Sequence, residues 1–123
     1  SSRTNLSRQL LHREITMHQR SEAETLLMDF TRAQMARHYW GEFAGSLQDL
    51  GLTAGQQLVA TVDRDAIRTR LWIEPHHGTE AYLAEVERWG GRLRMRHCRG
   101  DRGGTGLAQE ARCPDGWTTI SLN

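Results

Sequence analysis

Lysine is absent from these 123 residues, and all sixteen basic side chains are arginine. Arginine presents a planar fork to carboxylates and phosphates, a contact the point charge of lysine does not make. No run of 18 apolar residues occurs, so no transmembrane helix lies within the sequence, and no signal-peptide pattern is present. Net charge is also scarce. Sixteen basic against fifteen acidic residues leave +1, which excludes a whole-molecule field drawing the chain onto nucleic acid or membrane. Aromatic residues are 7% of the chain and mean hydropathy is −0.65, which points to a modest core and a wet surface. Two cysteines allow at most one internal bridge. Cys98 closes one expected strand and Cys113 the next, and in a plain hairpin around Gly103 they do not face each other, so the redox compartment stays open.

Chemistry-bearing motifs are equally thin. His76, His77, His97, Cys98 and Cys113 are the candidate metal ligands, but no CxxC or HxxxH spacing is present. His97 and Cys98 are neighbours on a strand and point to opposite faces, so convergence of four ligands on one ion is not expected. His76-His77 reads as an exposed loop pair, and His97 as a half-buried strand histidine. Gly103 to Gly106 joins two expected strands and is no phosphate cradle, because it does not lead into a helix N-terminus. Arg99-Gly100-Asp101 spells a tripeptide known from adhesion ligands, which chance explains in a chain this rich in arginine and glycine. No serine or cysteine sits in a nucleophile's setting, and no acid–base pair has a spacing that forces convergence. The expectation is a protein that is not an enzyme and needs no cofactor.

What is present is periodicity. In Ile67 to Glu74, Ile67, Thr69, Leu71 and Ile73 share one face and Arg68, Arg70, Trp72 and Glu74 the other, the mark of a half-buried strand. Arg92 to Cys98 alternates likewise, with Arg92, Arg94 and Arg96 on one side. Between them Tyr82, Leu83, Val86 and Trp89 recur at helical spacing, and Gly90-Gly91 reads as the end of that helix. Trp40, Phe43, Leu47 and Leu50, spaced 3, 4 and 3, predict a second amphipathic helix closed by Gly51. Gln57 to Val62 and Leu107 to Arg112 read as strands, Asp63 to Asp65 and Cys113 to Gly116 as turns, and Trp117 to Leu122 as the last strand.

Residues 1–37 read as a weakly amphipathic helical arm or stalk, carrying Leu6, Leu10, Leu11 and Ile15, then Leu26, Leu27 and Phe30. Ser21 to Glu24 fits a capping box at which a helix starts or restarts. Two helix–hairpin units, repeating about every 39 residues from Gly51 to Gly90, predict an α+β class. The expected topology is a permuted ferredoxin-like αββαββ antiparallel sheet with both helices on one face, over residues 38–123.

Two surfaces emerge as candidate sites. Trp40, Phe43 and Leu47, with Leu26 and Phe30 of the arm, form a candidate partner-binding set for a second copy or a related subunit, alongside exposed strand edges. Arg68, Arg70, Arg92, Arg94 and Arg96, with Trp72, form a candidate polyanion face. That face admits a nucleic-acid binder, an arginine-mediated protein contact, or plain solvation partly neutralised by Glu74 and Glu110. The chain begins Ser1-Ser2 without methionine, as a processed or trimmed product does, and a membrane anchor upstream of Ser1 is compatible with it.

From Phe43 to Leu122 the pattern resembles the periplasmic domain of the GspM inner-membrane component of type II secretion and its pilus relative PilO. The features are Leu47-Gln48-Asp49-Leu50-Gly51-Leu52 before the first hairpin, the strand Ile67 to Ile73, the stretch with Tyr82, Leu83 and Trp89, the strand Leu93 to His97, and a final strand after a turn. The resemblance implies a dimerising ferredoxin-like domain on a helical stalk, at the periplasmic side of a bacterial inner membrane. It implies no catalytic residue. The dense arginine face and the glycine-rich 99–106 loop depart from the pattern, and a cytoplasmic site is the alternative location.

Overall fold

A computed structural model describes residues 2–102 and 112–122. It shows an α+β chain: one long helix, α1 (Ser2–Tyr39), a single 3-10 turn (Gln48–Leu50), and five strands. The strands are β1 (Leu58–Arg64), β2 (Arg68–Pro75), β3 (Glu80–Trp89), β4 (Arg92–Asp101) and β5 (Thr118–Thr119). They pair in chain order, β1-β2-β3-β4-β5, every neighbour antiparallel.

Two expected helices are therefore corrected, and with them the αββαββ order, which the described residues do not form. Tyr82 to Trp89 is the central strand. Ala81 to Glu87 is buried at every position, because α1 covers one face of β3 and the side chains of β2, β4 and the C-terminal segment cover the other. A strand buried on both faces loses the alternation that identifies strands, and its apolar residues then mimic a helical stripe. Gly90 and Gly91 cap no helix. With φ of 58° and 80° they are the two central residues of the β3–β4 hairpin, where both positions need the left-handed region. Residues 40–50 are likewise not an amphipathic helix. α1 ends at Tyr39, and the chain turns at Gly41, whose φ is 147°.

α1 is continuous through Ser21, so the expected restart there does not occur. At 1.5 Å per residue its 38 residues span about 57 Å. Only its second half touches the sheet. Ala23, Leu26, Leu27 and Phe30 join Leu58, Leu71, Ile73, Tyr82 and Ala84 in one core, with Leu47, Leu50, Leu52, Ile120 and Leu122 at its margin. Gln34 is fully buried there and secures the connection between α1 and β1. Its Nε2 donates to the Ala44 carbonyl (2.8 Å) and to Thr69 Oγ1 (3.1 Å), while its Oε1 accepts from the Ala44 amide (2.7 Å).

The second face of the sheet has a small core of its own. Leu83, Cys98 and Cys113 are buried beneath Trp72 and Trp117, whose rings meet edge to face at 6.1 Å. Cys98 and Cys113 form a disulfide, Cα to Cα 5.7 Å. This corrects the hairpin expectation. The segment entering at Cys113 does not mirror β4 around Gly103. It crosses the outer face, and Thr119 rather than Cys113 is the strand partner of Cys98. The expected strand 107–112 and Glu110 lie outside the described residues, Arg112 excepted.

Trp117 lies flat against Gly100. A Cβ at position 100 would run into the indole itself, so glycine is required there by close approach and not by backbone angle. Gly100→Ala therefore dislodges Trp117, at a cost of about 1–3 kcal/mol. Urea unfolding of the variant measures it, and an unchanged midpoint would place Trp117 elsewhere.

Candidate functional site

α1 is fastened where it leaves the sheet. The Arg20 guanidinium makes two 2.8 Å bonds to the Glu80 carboxylate, which also accepts the Tyr82 hydroxyl. Arg99 on β4 reaches Glu24 at 3.0 Å. The Arg20 contact holds the Glu80 carboxyl below its ordinary range, and burial raises the Tyr82 phenol above its own. The adhesion-like tripeptide is thus part of the structure: Arg99 holds Glu24, Gly100 carries Trp117, and Asp101 pairs with Glu80 across the ladder.

Beyond that clamp, residues 2–18 of α1 leave the sheet as a stem, and all but Thr16 are exposed. Leu6, Leu10, Leu11, Ile15 and Met17 are each about half exposed. At 100° per residue the core direction set by Gln19, Ala23, Leu26, Phe30 and Gln34 continues into the stem as Asn5, Gln9, His12 and Thr16, all polar. Leu6, Leu10 and Met17 lie on one flank turned away from the sheet, and Leu11 and Ile15 on the other. The apolar side chains of the stem therefore face outward on two sides, away from the molecule's own core.

Of the five residues expected to bind a partner, the structure leaves only Trp40 on the surface. Phe43, Leu26 and Phe30 are buried and Leu47 packs against the core. Their periodicity reported burial within the chain, not a docking face. Trp40 is 84% exposed and Tyr39 81%, ring to ring at 5.3 Å. The arm read over residues 1–37 is in the structure two parts of one helix: a packed half from Gln19 onward and the exposed stem.

The arginine face exists, but it is not bare. Glu85 and Glu87 project from β3 between the arginines of β2 and β4. Glu85 takes Arg70 (2.7 Å) from one side and Arg96 from the other; Glu87 takes Arg68 (2.8 Å) and Arg94 (2.5 Å). The register makes this inevitable, since Arg70, Glu85 and Arg96 stand in one row across three strands and Arg68, Glu87 and Arg94 in the next. The Glu85 side chain is only 2% exposed. Trp72 is occupied against Trp117. Arg92 alone of the expected polyanion set has no ion pair among the described residues. Complementary charge steps, Arg-x-Arg, Glu-x-Glu, Arg-x-Arg, were the sequence signal for this ladder, hidden once β3 was read as a helix.

His97, expected half-buried, is buried between β4 and α1, its Nε2 3.1 Å from Thr31 Oγ1. The same Thr31 hydroxyl donates to the Met28 carbonyl at 3.0 Å. Burial pushes the His97 pKa below the ordinary 6.5, against a smaller raising effect from the Leu27 backbone. The unfolded chain then binds more protons than the fold once pH drops below about 6.5, so stability falls on that side, by at most about 1.4 kcal/mol per pH unit. Melting temperature should drop from pH 7 to pH 5, and His97→Gln should flatten that slope. An equal slope in the variant would assign the acid sensitivity elsewhere. His76 and His77 are exposed in the β2–β3 turn.

Compared with known proteins, the chain matches no family model, no curated protein and no solved structure. No helix among the described residues is long and apolar enough to cross a membrane.

Proposed function

We propose that this chain is a non-enzymatic assembly subunit of a bacterial envelope secretion or pilus machine, joined through its stem to copies of itself or to related subunits. The observation that carries this reading is the stem. Most helical stability in proteins comes from packing of an apolar face, and the stem's leucines point away from its own sheet on two flanks. A single partner covers one flank; two flanks suit a bundle or fibre in which each stem lies between neighbours. The disulfide adds to the reading. Such bonds persist on the oxidising side of an envelope and are rare in a reducing cytosol, which favours a periplasmic or outer location. The ferredoxin-like dimer implied by the PilO resemblance gains nothing from residues 40–50, which are not helical, so pairing is assigned to the stem.

Sedimentation velocity tests this. The intact chain should associate with rising concentration, and Leu10→Asp with Ile15→Asp should weaken association at least about tenfold, equivalent to 1.4 kcal/mol. The melting temperature should hold, because neither residue touches the core. A monomer at every concentration, or association that ignores the two aspartates, counts against the proposal.

A further inference from the structure

The end of the molecule opposite the stem is built differently from the rest of its surface. There α1 finishes, β1 and β3 end, and β2 and β4 begin; the Arg88 amide donates to the Ile67 carbonyl at 2.8 Å, tying β3 to the β1–β2 turn. Three aromatic rings stand out at this end: Tyr39, Trp40, and Trp89, which is 61% exposed. A shallow depression beside them is lined by His38, Phe43, Arg64, Asp65 and Arg88.

Its charges are unequal in availability. Glu42 is held by Arg64 at 3.3 Å. The Asp65 carboxylate accepts the Ile67 and Arg68 amides at 2.7 and 2.9 Å, which keeps it below the ordinary range for a carboxyl. Arg37, Arg88 and Arg92, by contrast, have no ion pair among the described residues. Free guanidinium groups beside exposed, flat rings are the combination that holds a single-stranded nucleic acid: cations follow the phosphates while rings stack on bases. The ladder of the sheet face lacks it, because each of its four arginines is held by Glu85 or Glu87 and its tryptophan, Trp72, lies against Trp117.

We propose that this aromatic and arginine-bearing end binds single-stranded nucleic acid. Tyr39 and Trp40 pack only on each other and Trp89 only under Arg94, which leaves most of each ring in water, and the three positive charges beside them that carry no ion pair among the described residues select a polyanion over an apolar protein surface. The site is separate from the stem, so binding and assembly operate independently.

Fluorescence anisotropy of a labelled 20-mer oligo-dT with the full chain tests it, at low and at moderate salt. Binding should weaken with salt at a log–log slope of about −2, the value for three phosphate contacts on a single strand. Tyr39→Ala with Trp40→Ala should weaken binding at least about tenfold. Arg88→Gln with Arg92→Gln should bring the slope to about −0.7, and Arg8→Gln with Arg13→Gln on the stem should change neither. All six residues are exposed, and unchanged melting temperatures would show that the folds are intact. The proposal is overturned by no binding at low salt, by binding that survives loss of both rings, or by dextran sulfate competing as well per charge as oligo-dT. The last result would mean bare charge without stacking.

Discussion

Glu85→Ala lowers the stability of the fold by about 3–5 kcal/mol, the usual cost of removing one partner from a buried ion pair. The reason lies in the ladder. Glu85 is buried between Arg70 and Arg96, whose side chains are themselves only 19% and 11% exposed. Without the carboxylate, two guanidinium groups remain packed side by side with nothing to offset them. In thermal terms the loss is roughly 10–20 °C for a chain of this size. Glu87→Ala costs less, because Arg94 is 36% exposed and water screens it; Arg94→Ala should stay within about 1 kcal/mol, part of it from the lost contact over Trp89 at 4.9 Å. Denaturant unfolding with unchanged m-value gives each number. A Glu85 variant as stable as the parent would mean that the register across β2, β3 and β4 is wrong.

Removing the disulfide has the next largest effect. Cys98 and Cys113 are 15 positions apart, and closing a loop of that length contributes about 3 kcal/mol, chiefly by restricting the unfolded chain. The effect should also be local. Cys113 anchors the segment that carries Trp117 over Gly100 and against Trp72, whereas the α1 core is on the opposite face. Cys98→Ala with Cys113→Ala should therefore lose near-ultraviolet dichroism from the paired tryptophans while far-ultraviolet dichroism is kept. Equal loss of both signals would mean that the two faces unfold as one unit. Untreated chain recovered from an oxidising compartment should take up no thiol-alkylating reagent.

Much of the sheet was legible in the sequence. β1, β2 and β4 could be read because the sequence of each alternates apolar with polar or charged residues, and the Asp65 turn is read from a carboxylate that caps its own following amides. β3 was not legible, and the reason is physical: it is covered on both faces, so the polar alternation of its outer side is carried by Glu85 and Glu87 alone, while Ala81 and Leu83 on that side are buried and apolar. Misreading it displaced everything attached to it. The ion ladder vanished because its acidic row was assigned to a helix, Gly90-Gly91 became a helix cap, and the second unit of a repeat was inferred where a meander exists. Phe43 and Leu47 show the converse error, in which residues on an irregular connection happen to repeat at helical intervals while packing inward. The disulfide could not be placed because its geometry depends on the path of the segment after Cys113, which crosses the sheet face and departs from hairpin symmetry. The stem's leucines were visible from the start; what the sequence could not say was that the sheet stops short of them.

Amide hydrogen exchange along residues 2–18 tests assembly through the stem most directly. These amides have helical bonds but no tertiary cover in the single chain, so in dilute solution they should exchange close to unprotected rates. Raising the protein concentration should protect them progressively, with Leu10 and Ile15 at the centre of the protected stretch, while exchange in β3 stays as it was. Fast exchange of the stem at every concentration, or protection that appears only in the sheet, would contradict it.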